Sequence, residues 1–298
     1  MRKSFKVSYL AALFLIFSAS DALGWTRSVD FNNGVVGQST QRGGDFDDAG
    51  GGTLYSDEVT LDGSLSAKMS IAEGAEGFGS WGGILNFPGN LTAGDKVWVQ
   101  FYIYIPSNFY IYTPGNGSLK FVRIRTNTSS GENGGYNDFQ IIDDNSGVDA
   151  VYRYIKEGVW DIGWLYIANA NQRNTLLPRD KWLKLELEFS FGTVPVTEGG
   201  NSFVRLWLDD KMVWNGENAQ TLSNNSDVAN ALYLFTYWNG RAPKSQSLYV
   251  DNIVMTSDTP PNVDSNGYRF IGGGLTGGGT GPGNELSPPD SIRDLTIE

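Results

Sequence analysis

The chain has 298 residues and contains neither histidine nor cysteine, which narrows the chemistry open to it. A Ser-His-Asp triad, an imidazole base, a histidine zinc site, a thiol nucleophile and a disulfide framework are all excluded. Carboxylate, tyrosine, lysine and arginine remain. Three stretches concentrate such groups. Phe121-Val-Arg-Ile-Arg carries Arg123 and Arg125, and Phe139-Gln-Ile-Ile carries Gln140. Tyr233-Leu-Phe-Thr-Tyr-Trp-Asn-Gly carries Tyr233, Tyr237, Trp238 and Asn239, and runs on to Arg241 and Lys244. Exposed rings of this kind stack on the apolar faces of sugars, while amides and guanidinium groups bind hydroxyls or carboxylates beside them.

The elements that must position these groups are strands. After Trp25 the hydrophobic pattern has period two and is broken by turn clusters. It predicts strands over Ser66–Ile71, Lys96–Ile105, Lys120–Thr126, Asp138–Ile142, Val151–Lys156, Trp164–Ala168, Trp182–Phe191, Phe203–Leu208, Leu232–Tyr237 and Leu248–Met255. No amphipathic helix and no internal repeat is visible. The 38 glycines and 18% charged residues suit short strands joined by tight turns. Together with Asp209-Asp210-Lys211 between two apolar runs, they predict an all-β, antiparallel two-sheet sandwich of the jelly-roll kind.

Successive side chains on a strand point to opposite sides, so each strand divides into two faces. In Lys96–Ile105 the apolar set is Val97, Val99, Phe101, Ile103 and Ile105, and the other set is Trp98, Gln100, Tyr102 and Tyr104. In Trp182–Phe191 the apolar set instead opposes Lys184, Glu186 and Glu188, an ordinary solvated face. The expectation is a concave sheet carrying the aromatic and arginine faces and a convex sheet carrying the charged ones. Tyr152 and Tyr154, or Arg153 on the opposite side of their strand, and Tyr233 are assigned to the concave surface. Covering loops that pack such rings away are the competing reading, since aromatic pairs stabilise sheets without any ligand.

The ends differ from the middle. Arg2, Lys3 and Lys6, an apolar run from Val7 to Phe17, and small residues at Ala22 and Gly24 read as a signal peptide over 1–24 cut before Trp25, implying secretion to the periplasm or outside the cell. The sandwich is assigned to 25–270, and the glycine-rich stretch 271–286 reads as a linker. Residues 287–298 read as a tail or as the start of a truncated fibronectin type III-like domain. A net charge of −11 argues against nucleic acid or an anionic membrane as partner; a polysaccharide partner and a monomer are expected. No cofactor is required. Structural calcium could be held by the loop carboxylates Asp45 and Asp47, or by Asp251.

On the arginine, glutamine and tyrosine stretches, on Val204-Arg-Leu-Trp-Leu-Asp-Asp-Lys and on Tyr249-Val-Asp-Asn-Ile, the chain resembles the concanavalin-A-like jelly-roll proteins that bind or cut polysaccharides. It is similar in particular to lyases of the alginate, glucuronan and heparin type. The resemblance implies that Arg123 or Arg125 holds a uronate, Gln140 helps neutralise its carboxylate and Tyr237 moves the proton. Ile142 stands where that pattern places a histidine, with Lys244 as a substitute positive charge. Three functions stay open at this point: recognition of a polysaccharide, β-elimination on a uronate polymer, and a structural or adhesive domain. Glycoside hydrolysis is not expected, because Glu186-Leu-Glu188 lacks the carboxylate arrangement that chemistry needs.

Overall fold

The structure, a computed structural model, describes residues 24–111, 117–143, 150–167 and 177–273. The stretch read as a signal peptide, up to residue 23, and those read as linker and tail, beyond residue 273, lie outside the described residues. Among those described, no helix is long and apolar enough to cross a membrane.

Among the described residues seventeen strands follow one another: β1 (Thr26–Val29), β2 (Asp48–Ala49), β3 (Thr53–Ser56), β4 (Ser66–Ile71), β5 (Gly83–Leu91), β6 (Lys96–Tyr104), β7 (Ser118–Asn127), β8 (Asn133–Asp143), β9 (Ala150–Lys156), β10 (Leu165–Tyr166), β11 (Trp182–Ser190), β12 (Phe203–Leu208), β13 (Lys211–Gly216), β14 (Val228–Asn239), β15 (Gln246–Thr256), β16 (Asn262–Val263) and β17 (Arg269–Phe270). They form a two-sheet antiparallel jelly roll, as expected. Sheet I runs β13-β12-β11-β6-β15-β4-β3, with β1 also on β15, and sheet II runs β10-β9-β8-β7-β14-β5-β2. β16 and β17 make a separate small hairpin.

The alternation read from β6 and β11 builds the core. Val97, Val99, Phe101 and Ile103 meet Leu183, Leu185, Leu187 and Phe189 in one buried cluster that also takes in Ile124, Phe139, Leu232 and Leu234 of sheet II. Each such side chain contributes about 1.5–3 kcal/mol by leaving water. The β12–β13 hairpin turns on Asp209 (φ 46°) and Asp210 (φ 64°), both left-handed as a two-residue hairpin of that twist requires.

Alternation fails in sheet II around Arg125–Asn127 and Ala229–Ala231, and again across the middle of β8, β7 and β14. Opposite consecutive Phe139 and Gln140 of β8, β7 places Val122 and Lys120 with Phe121 between them. Opposite Val122 and Lys120, β14 places Leu234 and Tyr237 with two residues between them. The extra residues are bulges, which bend a strand and change which side a residue faces. Phe121 and Phe235 both turn inward and pack edge to face, centroids 4.8 Å apart. Phe235 adopts φ 53° to do so.

The expected division into an aromatic concave sheet and a charged convex sheet is not what forms. β6 and β11 are neighbours in sheet I, with Trp98 opposite Glu188, Gln100 opposite Glu186, Tyr102 opposite Lys184 and Tyr104 opposite Trp182. The outer face of β6 is aromatic because the chain's last described segment covers part of it. Trp98 donates its indole N–H to the Arg269 carbonyl at 3.1 Å and packs with Val254 and Ile271. Trp207 of β12 stacks on Phe270 at 6.2 Å and donates to Asp264. Buried Glu186 accepts the backbone N–H groups of Ile271 and Gly272. Residues 257–273 thus form a strap over sheet I.

Candidate functional site

Directly paired residues in an antiparallel sheet share a face, so register alone defines the rows across the outer side of sheet II. The first row pairs Tyr237 with Lys120, Lys120 with Gln140, Gln140 with Arg153, and Arg153 with Tyr166. Four interstrand steps give this row a length of roughly 19 Å. The second row is Ile84, Tyr233, Arg123, Asp138 and Ile155. The third is Asn86, Ala231, Arg125 and Tyr136.

Aromatic groups stand at both ends of the first row. At one end Phe78, 55% exposed, lies 5.1 Å from the Tyr237 ring. Gly77 makes that approach possible: a Cβ there would sit 2.4 Å from the Thr236 carbonyl oxygen, and its φ of 119° suits glycine alone. At the other end the Arg153 guanidinium lies over Trp164 at 3.5 Å, next to Tyr166, 60% exposed.

Between them lies a network of charges. Arg123 donates through Nε to Asp138 at 2.5 Å and through Nη2 to Glu157 at 3.3 Å, while its guanidinium stacks on Tyr136 at 3.5 Å. The Lys120 ammonium donates to Glu157, pairs with Asp138 at 3.3 Å, and lies 5.4 Å from the Tyr237 ring centroid. Gln140 donates to Asp138 at 3.3 Å and accepts from Arg153 at 3.1 Å. Arg125 donates to the Tyr233 hydroxyl at 3.2 Å and to Asn127 at 2.9 Å. Burial, reinforced by the charge of Asp138, raises the pKa of Glu157 above the ordinary glutamate value.

Sheet II therefore brings Arg123, Arg125, Gln140, Tyr233 and Tyr237 onto one face. Arg123 is only 2% exposed and Gln140 3%, both occupied by protein partners, so they form the floor of the face. The other sequence-predicted residues scatter. Tyr152 and Tyr154 lie instead in the interior, where Tyr154 donates to Asn137 at 2.6 Å; the alternative, Arg153, stands on the outer face, as Ile155 of the same strand does. Trp238 is also core, stacked between Trp81 and Phe109. Asn239 is exposed at the end of β14, and Arg241 lies beyond it, 3.6 Å from Glu76. Lys244 is half-buried in the same loop, on no row. Trp98, Gln100, Tyr102 and Tyr104 belong to sheet I and cannot share this surface.

Lys120, Asp138, Glu157, Phe78, Trp164 and Tyr166 are the members that sequence reasoning missed. A signal was available for Lys120: adjacent apolar Phe121 and Val122 break the alternation, and a bulge there puts Lys120 and Arg123 on one side.

The carboxylates considered for calcium are separated by their own partners. Asp45 accepts from the Tyr55 hydroxyl at 2.6 Å, and Asp47 pairs with Arg27 at 2.6 Å. Asp251 is fully buried in β15 with Oδ2 unpartnered, and burial pushes its pKa up to about 8. Among the described residues, no group of three or more His, Cys, Asp or Glu is arranged to hold a metal ion.

Solved structures of other proteins share this two-sheet jelly-roll fold. The chain is similar to the structure of alginate lyase Aly36B at 13% identity, over 77% of this chain and 96% of that one, with a TM-score of 0.50. It is similar also to a double mutant of Aly36B in complex with alginate tetrasaccharide, at 15% identity over 77% and 96%, with a TM-score of 0.51. Identities this low establish the fold alone. No family model matches the chain, and no curated protein matches it in sequence.

Proposed function

We propose that this is an exported protein that recognises a polysaccharide across the outer face of sheet II, with the glycan lying along the Tyr237–Lys120–Gln140–Arg153–Tyr166 row. The observation that carries this reading is the row itself: stacking platforms at both ends and fixed polar groups between them, in register over five strands. Sugar rings supply apolar faces and a dense set of hydroxyls, which such a surface matches. Binding to a panel of soluble oligosaccharides tests it. Tyr237→Ala and Arg153→Ala are expected to weaken binding about tenfold each, on the scale of one stacking or charge-assisted contact. A protein that binds no glycan, or variants that bind as the parent does, would overturn the reading.

One observation favours a second reading, β-elimination on a uronate polymer: the Lys120 ammonium beside Tyr237. That reaction needs a cation to hold the uronate carboxylate next to a side chain that moves the proton. Against it, Arg123 and Gln140 are committed to internal partners. Incubation with alginate and glucuronan, followed by absorbance of new unsaturated ends, separates the two readings; a flat trace removes the lyase.

A further inference from the structure

We infer that Glu157 is a specificity determinant, a built-in carboxylate that occupies Lys120 and Arg123 and thereby directs the sheet II face toward glycans without carboxylates. The inference rests on the polysaccharide reading above and names the substrate class.

The argument is geometric. A uronate is recognised by placing its carboxylate on a cation, and charge-assisted pairs of that sort are the strong ones. Lys120 is the cation at the row's Tyr237 end, and Arg123 lies behind it on the same strand. Glu157, from the turn after β9, reaches both: Oε1 takes Lys120 and Oε2 takes Arg123. Asp138, fully buried, takes each from beneath. Two cations thus meet two internal carboxylates, and an incoming carboxylate would have to displace Glu157 while facing Asp138. Hydroxyl-only sugars meet no such competitor. Of the two carboxylates Glu157 is the accessible one, its side chain 20% exposed against 0% for Asp138, so it is the one whose removal opens the cations to solvent. The charged groups facing it are Lys120 and Arg123 from β7 and Asp138 from β8, while Lys156 of β9 bonds only its backbone carbonyl.

The test is calorimetric titration of the full chain with neutral cello-, xylo- and manno-oligosaccharides and with oligoglucuronate, at pH 7.5. The parent should prefer a neutral ligand to oligoglucuronate by tenfold or more. Glu157→Gln should raise the ratio of oligoglucuronate affinity to neutral-ligand affinity about tenfold. Adding Lys120→Gln to that variant should remove the gain, because the freed cation is gone. Glu157→Ala serves if the glutamine variant melts early. A parent that prefers oligoglucuronate, or Glu157 variants that fold and gain nothing, would overturn the inference while leaving polysaccharide recognition intact. Absence of binding to every ligand by parent and variants alike would overturn both.

Discussion

The outer faces of the two sheets are built from the same residue types and end differently. Sheet I presents Trp98, Trp207 and buried Glu186, and the strap 257–273 closes over them with two indole N–H donors satisfied and two strap amides held. Sheet II presents Tyr237, Phe78, Lys120 and Arg153, and no described strand lies over its first row. Aromatic content alone therefore does not mark a binding surface. What separates the faces is whether another part of the chain consumes the hydrogen-bond donors and covers the rings.

The largest effect that would break this comparison comes from the strap. Ile271→Asp places a charge in the Trp98–Val254 cluster beside Glu186, costing about 3 kcal/mol and lowering Tm by roughly 6–12 °C, with glycan affinity unchanged in a folded sample. A loss of glycan binding at full folding would mean that the strap face, rather than sheet II, meets the ligand. Next comes the converse: Tyr237→Ala should lose about tenfold in glycan affinity with Tm moved by no more than about 2 °C, read by differential scanning fluorimetry.

Two pH effects sharpen the contrast further. Asp251, with its folded pKa raised to about 8, contributes stability below the unfolded carboxylate range that is lost as pH rises through about 8. Asp251→Asn, measured in EDTA, is expected to raise Tm by several °C at pH 8.5 and by less at pH 5. A lower Tm at pH 8.5 would show that the carboxylate is needed ionised. The smallest effect belongs to Glu186, raised to about 7 by burial against the pull of its two amide donors. By the same sign, strap docking should weaken as pH passes 7. Amide exchange at Ile271 and Gly272 should speed up over that interval, and Glu186→Gln should remove the pH dependence.

Much of this was legible in the sequence wherever period two held. Ser66–Ile71 and Phe203–Leu208 form with the predicted bounds, and the apolar sets of β6 and β11 are core. Strand neighbours were not legible. Nothing local in Lys96–Tyr104 says that it pairs with Trp182–Ser190, and that pairing decides which face Trp98 joins. The strap was hidden because it contains only two-residue strands and works through three tertiary anchors. Of the candidate site, Arg123, Arg125, Gln140, Tyr233 and Tyr237 share a face; the burial of Arg123 depends on Asp138 and Glu157, which no spacing rule connects to it.

The bulges in sheet II have a consequence for how this protein could change length. Between the first and second rows the residue count rises by one from β8 to β7 and by one more from β7 to β14, so the three strands open like the ribs of a fan. Deleting a single residue from Phe235-Thr236 would leave β14 in step with β7 but disturb the contacts that the Phe235 ring makes with Phe121 and Trp81. Only the joint loss of Phe121, Phe235 and Thr236 would return the ribs to equal length, and the flattened sheet would then have a hole where two rings had been.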